Sequence, residues 1–380
     1  MICDLRFAIE KRLMMSSCKR FLIVVAAAVL AMPAFGQEQP AAKKDQEVKM
    51  APRANQVRGD EITPAQQAAV EKGLSYLASK QARNGSFGGG YGSAAGHAGI
   101  TALGGLAFMA AGNLPGRGKY GDNVQKALDF VVANTQESGL IASDNSHGSM
   151  YGHGFATLFL GEVYGMTGDE DVKEKLQKAV RLIQKTQNRE GGWRYTPAPI
   201  DADISVTICE IMGLRAARDA GLKVEKETVD MAIKYVRRCQ NPDGGFSYVA
   251  GQGSGSGFAR SAAGVASLYY AGVFEGNDLK RGLDYLAQFS GARPMVGDGG
   301  MEGMYFYGNY YAAQAMFLAG GKYWEGYYPQ IRETLIARQN KVDGSWNGEA
   351  GQDYATAMAL IILQMPNRYL PVFHGKGPGG

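Results

Sequence analysis

The stretch Gln187-Asn188-Arg189-Glu190-Gly191-Gly192-Trp193 decides how the rest of the chain is read, because its pattern returns. QARNGSF runs from Gln81 to Phe87, QNPDGGF from Gln240 to Phe246, and QNKVDGSW from Gln339 to Trp346, the last one residue longer. Two weaker copies fill the gaps, Gln136 leading to Leu140 and Gln288 leading to a delayed Gly299-Gly300. The six glutamines are therefore 55, 51, 53, 48 and 51 residues apart, and a steady period of that size marks a repeat architecture. In such a unit the glutamine amide can satisfy backbone groups orphaned at a helix end. The glycines supply positive φ in the turn, and the aromatic covers the gap between neighbouring outer helices.

Working outward from each turn, two kinds of helix appear. The stretch before a glutamine is amphipathic: Val172, Leu176, Val180 and Ile183 recur at helical spacing, with Lys173, Lys175 and Arg181 on the opposite face. The stretch after each turn is apolar nearly all round, as in Gly99 to Ala111, Phe155 to Tyr164 and Ser205 to Ala217. The first kind sees water on one side; the second is buried on every side. Six outer helices alternating with six inner ones predict an all-α (α/α)6 toroid. A straight solenoid is the competing arrangement, but it needs polar end caps, and the first and last units are as apolar as the middle ones.

Composition bounds the rest. The 380 residues carry 53 glycines, 13 prolines, 4 cysteines, and 40 basic against 36 acidic side chains. Glycine is about twice its usual share, yet there is no collagen-like period, so the excess belongs to loops. Residues 1–36 hold five basic and two acidic side chains, so the net charge of +4 falls to +1 without them. No basic stripe is left for nucleic acid or an anionic membrane. Lys19-Arg20, the apolar run Phe21 to Ala31 and Ala34-Phe35-Gly36 form the three parts of a secretory signal peptide, with Met14-Met15 as an alternative start. The expected organisation is a signal peptide over 1–36, a polar linker over 37–61, the toroid over 62–370 and a flexible tail over 371–380, in a secreted or periplasmic protein without a transmembrane segment. Cys209 and Cys239 are expected as two buried thiols, or as one bridge if their helices are neighbours.

The repeat resembles that of the terpenoid cyclase and protein prenyltransferase superfamily, of the squalene cyclase type: basic-Gly, an aromatic, a glutamine, a glycine and a tryptophan at fixed steps. Lys72-Gly73, Tyr76, Gln81, Gly85 and Phe87 follow it, and so do Lys178, Gln187, Gly191 and Trp193. Ala232, Tyr235, Gln240, Gly244 and Phe246 form a third copy, and Arg332, Leu335, Gln339, Gly344 and Trp346 a fourth. The similarity covers roughly residues 62–366. It implies the toroid and, less directly, an apolar isoprenoid or lipid-like ligand in a central cavity.

Candidate chemistry lies where inner helices begin. Asp201-Ala202-Asp203-Ile204-Ser205-Val206-Thr207 is similar to the Asp-x-Asp-Asp-Thr of type II cyclases. That resemblance casts Asp203 as general acid and Asp201 as its partner, with Ile204 standing where the last acid would be. The other reading makes Asp203 a helix cap accepting from the amides of Ser205 or Val206. His97, His147 and His153 are expected at the rim, and His147 to Phe155 looks slightly like the diphosphate-binding His-Gly-Gly-Tyr stretch of prenyltransferases. Arg260, paired with Glu302, and Tyr307, Tyr310 and Tyr311 are expected to line the cavity, the tyrosines as cation stabilisers. No cofactor is expected, and the family's zinc set has no recognisable counterpart, so no metal is either. Cys-Gly-Glu-Gln, Asp-Asp-x-x-Asp and a phosphate loop are all missing. Three functions remain: a cyclase-like protein with an apolar ligand, a non-catalytic binding or scaffold ring, and a ring acting on polysaccharide.

Overall fold

The computed structural model describes residues 61–88, 96–143, 148–289, 304–348 and 350–374, all within the unit Ala51–Gly380. They form twelve α-helices. The outer ones are α1 (Pro64–Lys80), α3 (Gly121–Ala133), α5 (Glu170–Thr186), α7 (Lys226–Arg238), α9 (Asn277–Ala287) and α11 (Gly321–Arg338). The inner ones are α2 (Ala98–Met109), α4 (Ser149–Thr167), α6 (Ile204–Asp219), α8 (Phe258–Tyr270), α10 (Tyr305–Ala319) and α12 (Gln352–Gln364). Every residue of α2 is buried, whereas α5 buries one stripe of Val172, Leu176, Val180 and Ile183. Residue chemistry starts several helices locally. Thr63 caps α1 with a reciprocal Gln66 contact and Pro64 at its first turn, and Asp169 accepts from the amides of Asp171 and Val172.

The inner helices pack in the order α2, α4, α6, α8, α10, α12 and back to α2, a closed ring. Small residues allow the closest approach: a Cβ on Gly154 would lie 2.6 Å from the backbone of Cys209, and one on Gly161 2.7 Å from Ala216. Gly154 facing Cys209 and Gly161 facing Ala216 also show that α4 and α6 run the same way, so inner-helix N-termini gather at one end. Closure is bonded as well as packed. Gln339 Nε2 donates to the Ala69 carbonyl at 2.8 Å, Gln364 Nε2 to Ala107 at 3.0 Å, and Trp324 Nε1 to Glu61 Oε1 at 2.8 Å. The toroid is closed, not an open solenoid.

The repeat's glutamine does more than end its own helix. Gln187 Nε2 donates to Gly191 O and to Thr228 O of α7, both at 2.8 Å. Gln81 and Gln240 do the same toward Asn123 and Asp278. Each amide is a strut from one outer helix to the next. Gly191 is needed twice over: its φ is +101°, and a Cβ there would lie 2.2 Å from Met231 O. The aromatic is tied at both ends, Trp193 N donating to Thr207 Oγ1 at 3.1 Å and Nε1 to Ile183 O at 2.7 Å.

The weak copies need correction. In the second unit Gln136 N donates to Leu140 O, as Asn188 N does to Gly192 O in the third. Thr135 therefore holds the glutamine's register, and buried Ile141, not Leu140, holds the aromatic's. Gln288 Nε2 donates to Asp284 O of its own helix, and Gly299 and Gly300 lie outside the described residues. The tail is also corrected in part: Pro371–Phe373 forms a 3-10 turn packed on α6 and α10. Leu370, Val372 and Phe373 are buried, and Val372 N donates to Glu162 Oε1 at 3.2 Å. This segment straps the end of the ring where inner helices finish. Cys209 and Cys239 are both free and buried.

Candidate functional site at the rim

Asp203 is the N-cap of α6. Its Oδ1 accepts from Ser205 N at 2.8 Å and Val206 N at 2.9 Å, while its own amide donates to Trp193 O, so the repeat's aromatic turn places it. The residue is fully buried. Burial pushes its carboxyl up to about 6, against the capping amides, Tyr248 and the Arg194 guanidinium, which favour the charged form. Oδ2 makes no hydrogen bond and faces Arg194 Nε at 3.6 Å. Capping and a raised acidity constant thus coexist in one side chain.

Asp201 is not a second carboxyl against Asp203. It is exposed and takes Arg194 Nη1 at 2.7 Å, so the guanidinium stands between the two acids. Arg194 also lies over the rings of Tyr195 (5.1 Å) and Tyr248 (5.9 Å), whose hydroxyls touch. Tyr151 completes the group, its ring 6.0 Å from that of Tyr195. Arg194, Tyr195, Tyr248 and Tyr151 were not among the expected site residues. The signal was present: Gly-Gly-Trp-Arg-Tyr and Gly-Gly-Phe-Ser-Tyr put Tyr195 and Tyr248 two residues past the repeat aromatic in successive units.

The histidines are placed differently from expectation. His97 is at the rim, but its Nδ1 caps α2, accepting from Gly99 N and Ile100 N. His153 is buried and turned toward the outer layer, its Nδ1 accepting from Ile141 N at 3.1 Å. It fills the position held by Thr101, Thr207, Ser261 and Thr356, which accept from Phe87, Trp193, Phe246 and Trp346. Burial lowers it to about 4, so it is a neutral structural acceptor, not a cavity ligand. His147 and Glu302 lie outside the described residues; Arg260 is half-buried in the first turn of α8.

The tyrosines fill the ring instead of lining a hollow. Tyr307 OH donates to Ser205 O at 2.9 Å, and Tyr311 OH sits 3.3 Å from Cys209 Sγ. Tyr310 on α10 meets Phe155 on α4 across the ring, centroids 6.0 Å apart. All three hydroxyls are held neutral by burial. Two cavities among the described residues hold about 10 Å³ each, room for one water. One lies between α6, α7 and α8, beside Arg215 and Tyr270; the other lies at the rim beside His97 and Gly152. No group of three or more metal-ligating side chains occurs among the described residues, and none of their helices is long and apolar enough to cross a membrane.

The profile of the prenyltransferase alpha-alpha toroid domain matches residues 60–168 and 122–304. The chain belongs to that family. Among solved structures it is similar to the GH76A α-1,6-mannanase of Salegentibacter sp. HEL1_6, as an inactive variant with α-1,6-mannotriose, at 11% identity and a TM-score of 0.60 over 80% of this chain and 99% of that one. Cellobiose 2-epimerase from Spirochaeta thermophila DSM 6192 gives 12% and 0.57 over 80% and 97%. A variant of the type II terpene cyclase MstE from Scytonema, with merosterolic acid A, gives 12% and 0.57 over 81% and 98%. These likenesses show a shared fold. No curated protein matches the chain in sequence.

Proposed function

We propose that this toroid is an exported binding protein that holds its ligand on the rim where the inner helices begin, rather than inside the ring. The contact between Phe155 and Tyr310 across the ring carries the reading: side chains occupy the space a deep ligand needs, while Tyr195, Arg194 and Asp201 at the rim reach solvent. A partly wet surface of aromatic faces with fixed charges suits recognition. The test is native mass spectrometry of the protein purified from its own source, as wild type, as Tyr195→Ala and as Ile200→Asp, a change to the exposed apolar side chain directly before Asp201. A co-purified mass lost from the rim variants supports the reading; one kept by both, and lost from Tyr310→Ala, overturns it. N-terminal sequencing of the mature chain checks export, with a start near Gln37 as the expected result.

A second reading keeps Asp203 as an acid for an apolar, isoprenoid-like ligand, as the terpene cyclase neighbours suggest. One observation favours it: a fully buried carboxyl pushed up to about 6. The same rim would serve a glycan, the kind of molecule bound by the mannanase among the neighbours. Polyprenol and mannotriose in a thermal-shift panel separate these, and only an Asp203→Asn-sensitive response to polyprenol supports the acid.

A further inference from the structure

The rim cluster has an uneven charge count. One guanidinium faces two carboxylates, Asp201 at 2.7 Å and Asp203 at 3.6 Å, and the longer contact leaves the fully buried Asp203 Oδ2 without a hydrogen bond. Two tyrosine rings close on the same guanidinium carbon at 5.1 and 5.9 Å. Aromatic faces beside carboxylates are the chemistry that holds guanidinium and methylated ammonium groups. The fold itself does not require a cation there. Arg194 directly follows the repeat aromatic, and the same position is Gly88, Ala142, Ser247 and Asn347 in other units.

The geometry points to a cation-binding cage formed by Tyr195, Tyr248, Asp201 and Asp203, filled by Arg194 in the free protein and open to a guanidinium or methylated ammonium group of a ligand. The inference rests on the reading of the rim as the binding surface, and it names the class of ligand. Arg194 acts as a tethered occupant: its side chain is about one-third exposed, so it can swing toward solvent as a ligand cation takes its place. A neutral hydroxyl could bond Asp203 Oδ2 but would leave the paired carboxylates and the two ring faces without the positive charge that Arg194 now supplies.

The cage is tested by calorimetric titration of the full chain with methylguanidinium, with mannotriose as the neutral control. Arg194→Ala should bind methylguanidinium about tenfold more tightly than wild type, and Tyr248→Ala added to it should abolish the gain. Arg194→Gln, which keeps the stem against the rings, serves the same comparison if Arg194→Ala loses its helical circular dichroism. A folded Arg194 variant that binds no better than wild type overturns the cage, as does a gain that survives Tyr248→Ala. Mannotriose binding lost in Tyr195→Ala, without any methylguanidinium binding, rejects the cage while leaving the rim reading intact.

Discussion

The two ends of the ring each bury a carboxyl with one unbonded oxygen, Asp203 Oδ2 at the rim and Glu162 Oε2 under the strap, yet they treat it differently. Asp203 has two capping amides and a guanidinium, and burial raises it only to about 6. Glu162 has one amide, Val372 N, and burial raises it to about 8. At neutral pH the rim therefore carries a charge and the strapped end a neutral acid. Burial is the largest cause in both, and the donors and charges around the oxygens set how far it goes.

The connections differ in the same way, and breaking them should give the largest effects. The rim-end turns at Gly85, Gly139, Gly191 and Gly244 are wedged against the next outer helix, whereas the strapped-end turns at Gly168, Gly221 and Gly272 are open. Gly191→Ala meets both a positive φ and a carbonyl 2.2 Å away, and should cost about 4 kcal/mol. Gly221→Ala has a similar φ, +90°, but nothing within 4 Å, and should cost about 1 kcal/mol. Urea midpoints of the two variants check this. Equal losses would mean that the wedge contributes nothing beyond backbone strain.

The carboxyl contrast predicts two pH windows. A raised folded pKa gives stability that is full below the unfolded value and is lost as pH climbs to the folded value. For Asp203 the loss runs from about 4 to 6, and for Glu162 from 4.5 to about 8. Between pH 6 and 8 only the second is still titrating, so Glu162→Gln should fall less than wild type across that range, by about 2 kcal/mol. Asp203→Asn should match the wild-type slope there and flatten it between pH 4 and 6. Chemical denaturation at four pH values reads both. The comparison collapses if the two variants change the same limb.

Much of the ring was legible before any coordinates. Period and all-round apolarity are properties of many residues at once, so a misread turn does not move the helices. The site was harder. Single residues of the right chemical type carry little positional information: His153 accepts from Ile141 N, Tyr311 OH lies on Cys209 Sγ, and Tyr310 packs its ring on Phe155. Arg194 and Tyr195 lay three-dimensionally above Asp203 but were hidden inside the repeat's tail, where Trp193 drew the attention. Asp203 was readable in two ways because its two oxygens differ: Oδ1 bonds the helix start, and Oδ2 is left without a hydrogen bond.

The smallest expected effect tests how repeat register is assigned along the rim. Gln187 bridges two outer helices through Gly191 O and Thr228 O, so Gln187→Ala strands no donor but removes two bonds from a half-buried strut; about 1–2 kcal/mol should be lost. Gln136 has the same residue type and nearly the same spacing, but its side chain is exposed, and Thr135 occupies the strut's register, donating to Val131 O within its own helix. Gln136→Ala should therefore change stability by less than about 0.5 kcal/mol. Thr135→Gln, in contrast, gives the second unit an amide at the bridging position. It should stabilise by up to about 1 kcal/mol, because Gly139, at a φ of +93° against Lys178 O, already sets this turn against α5 as Gly191 sets its own against α7. A loss on Gln136→Ala as large as on Gln187→Ala would place the strut back at 136 and undo the register that Ile141 and His153 define.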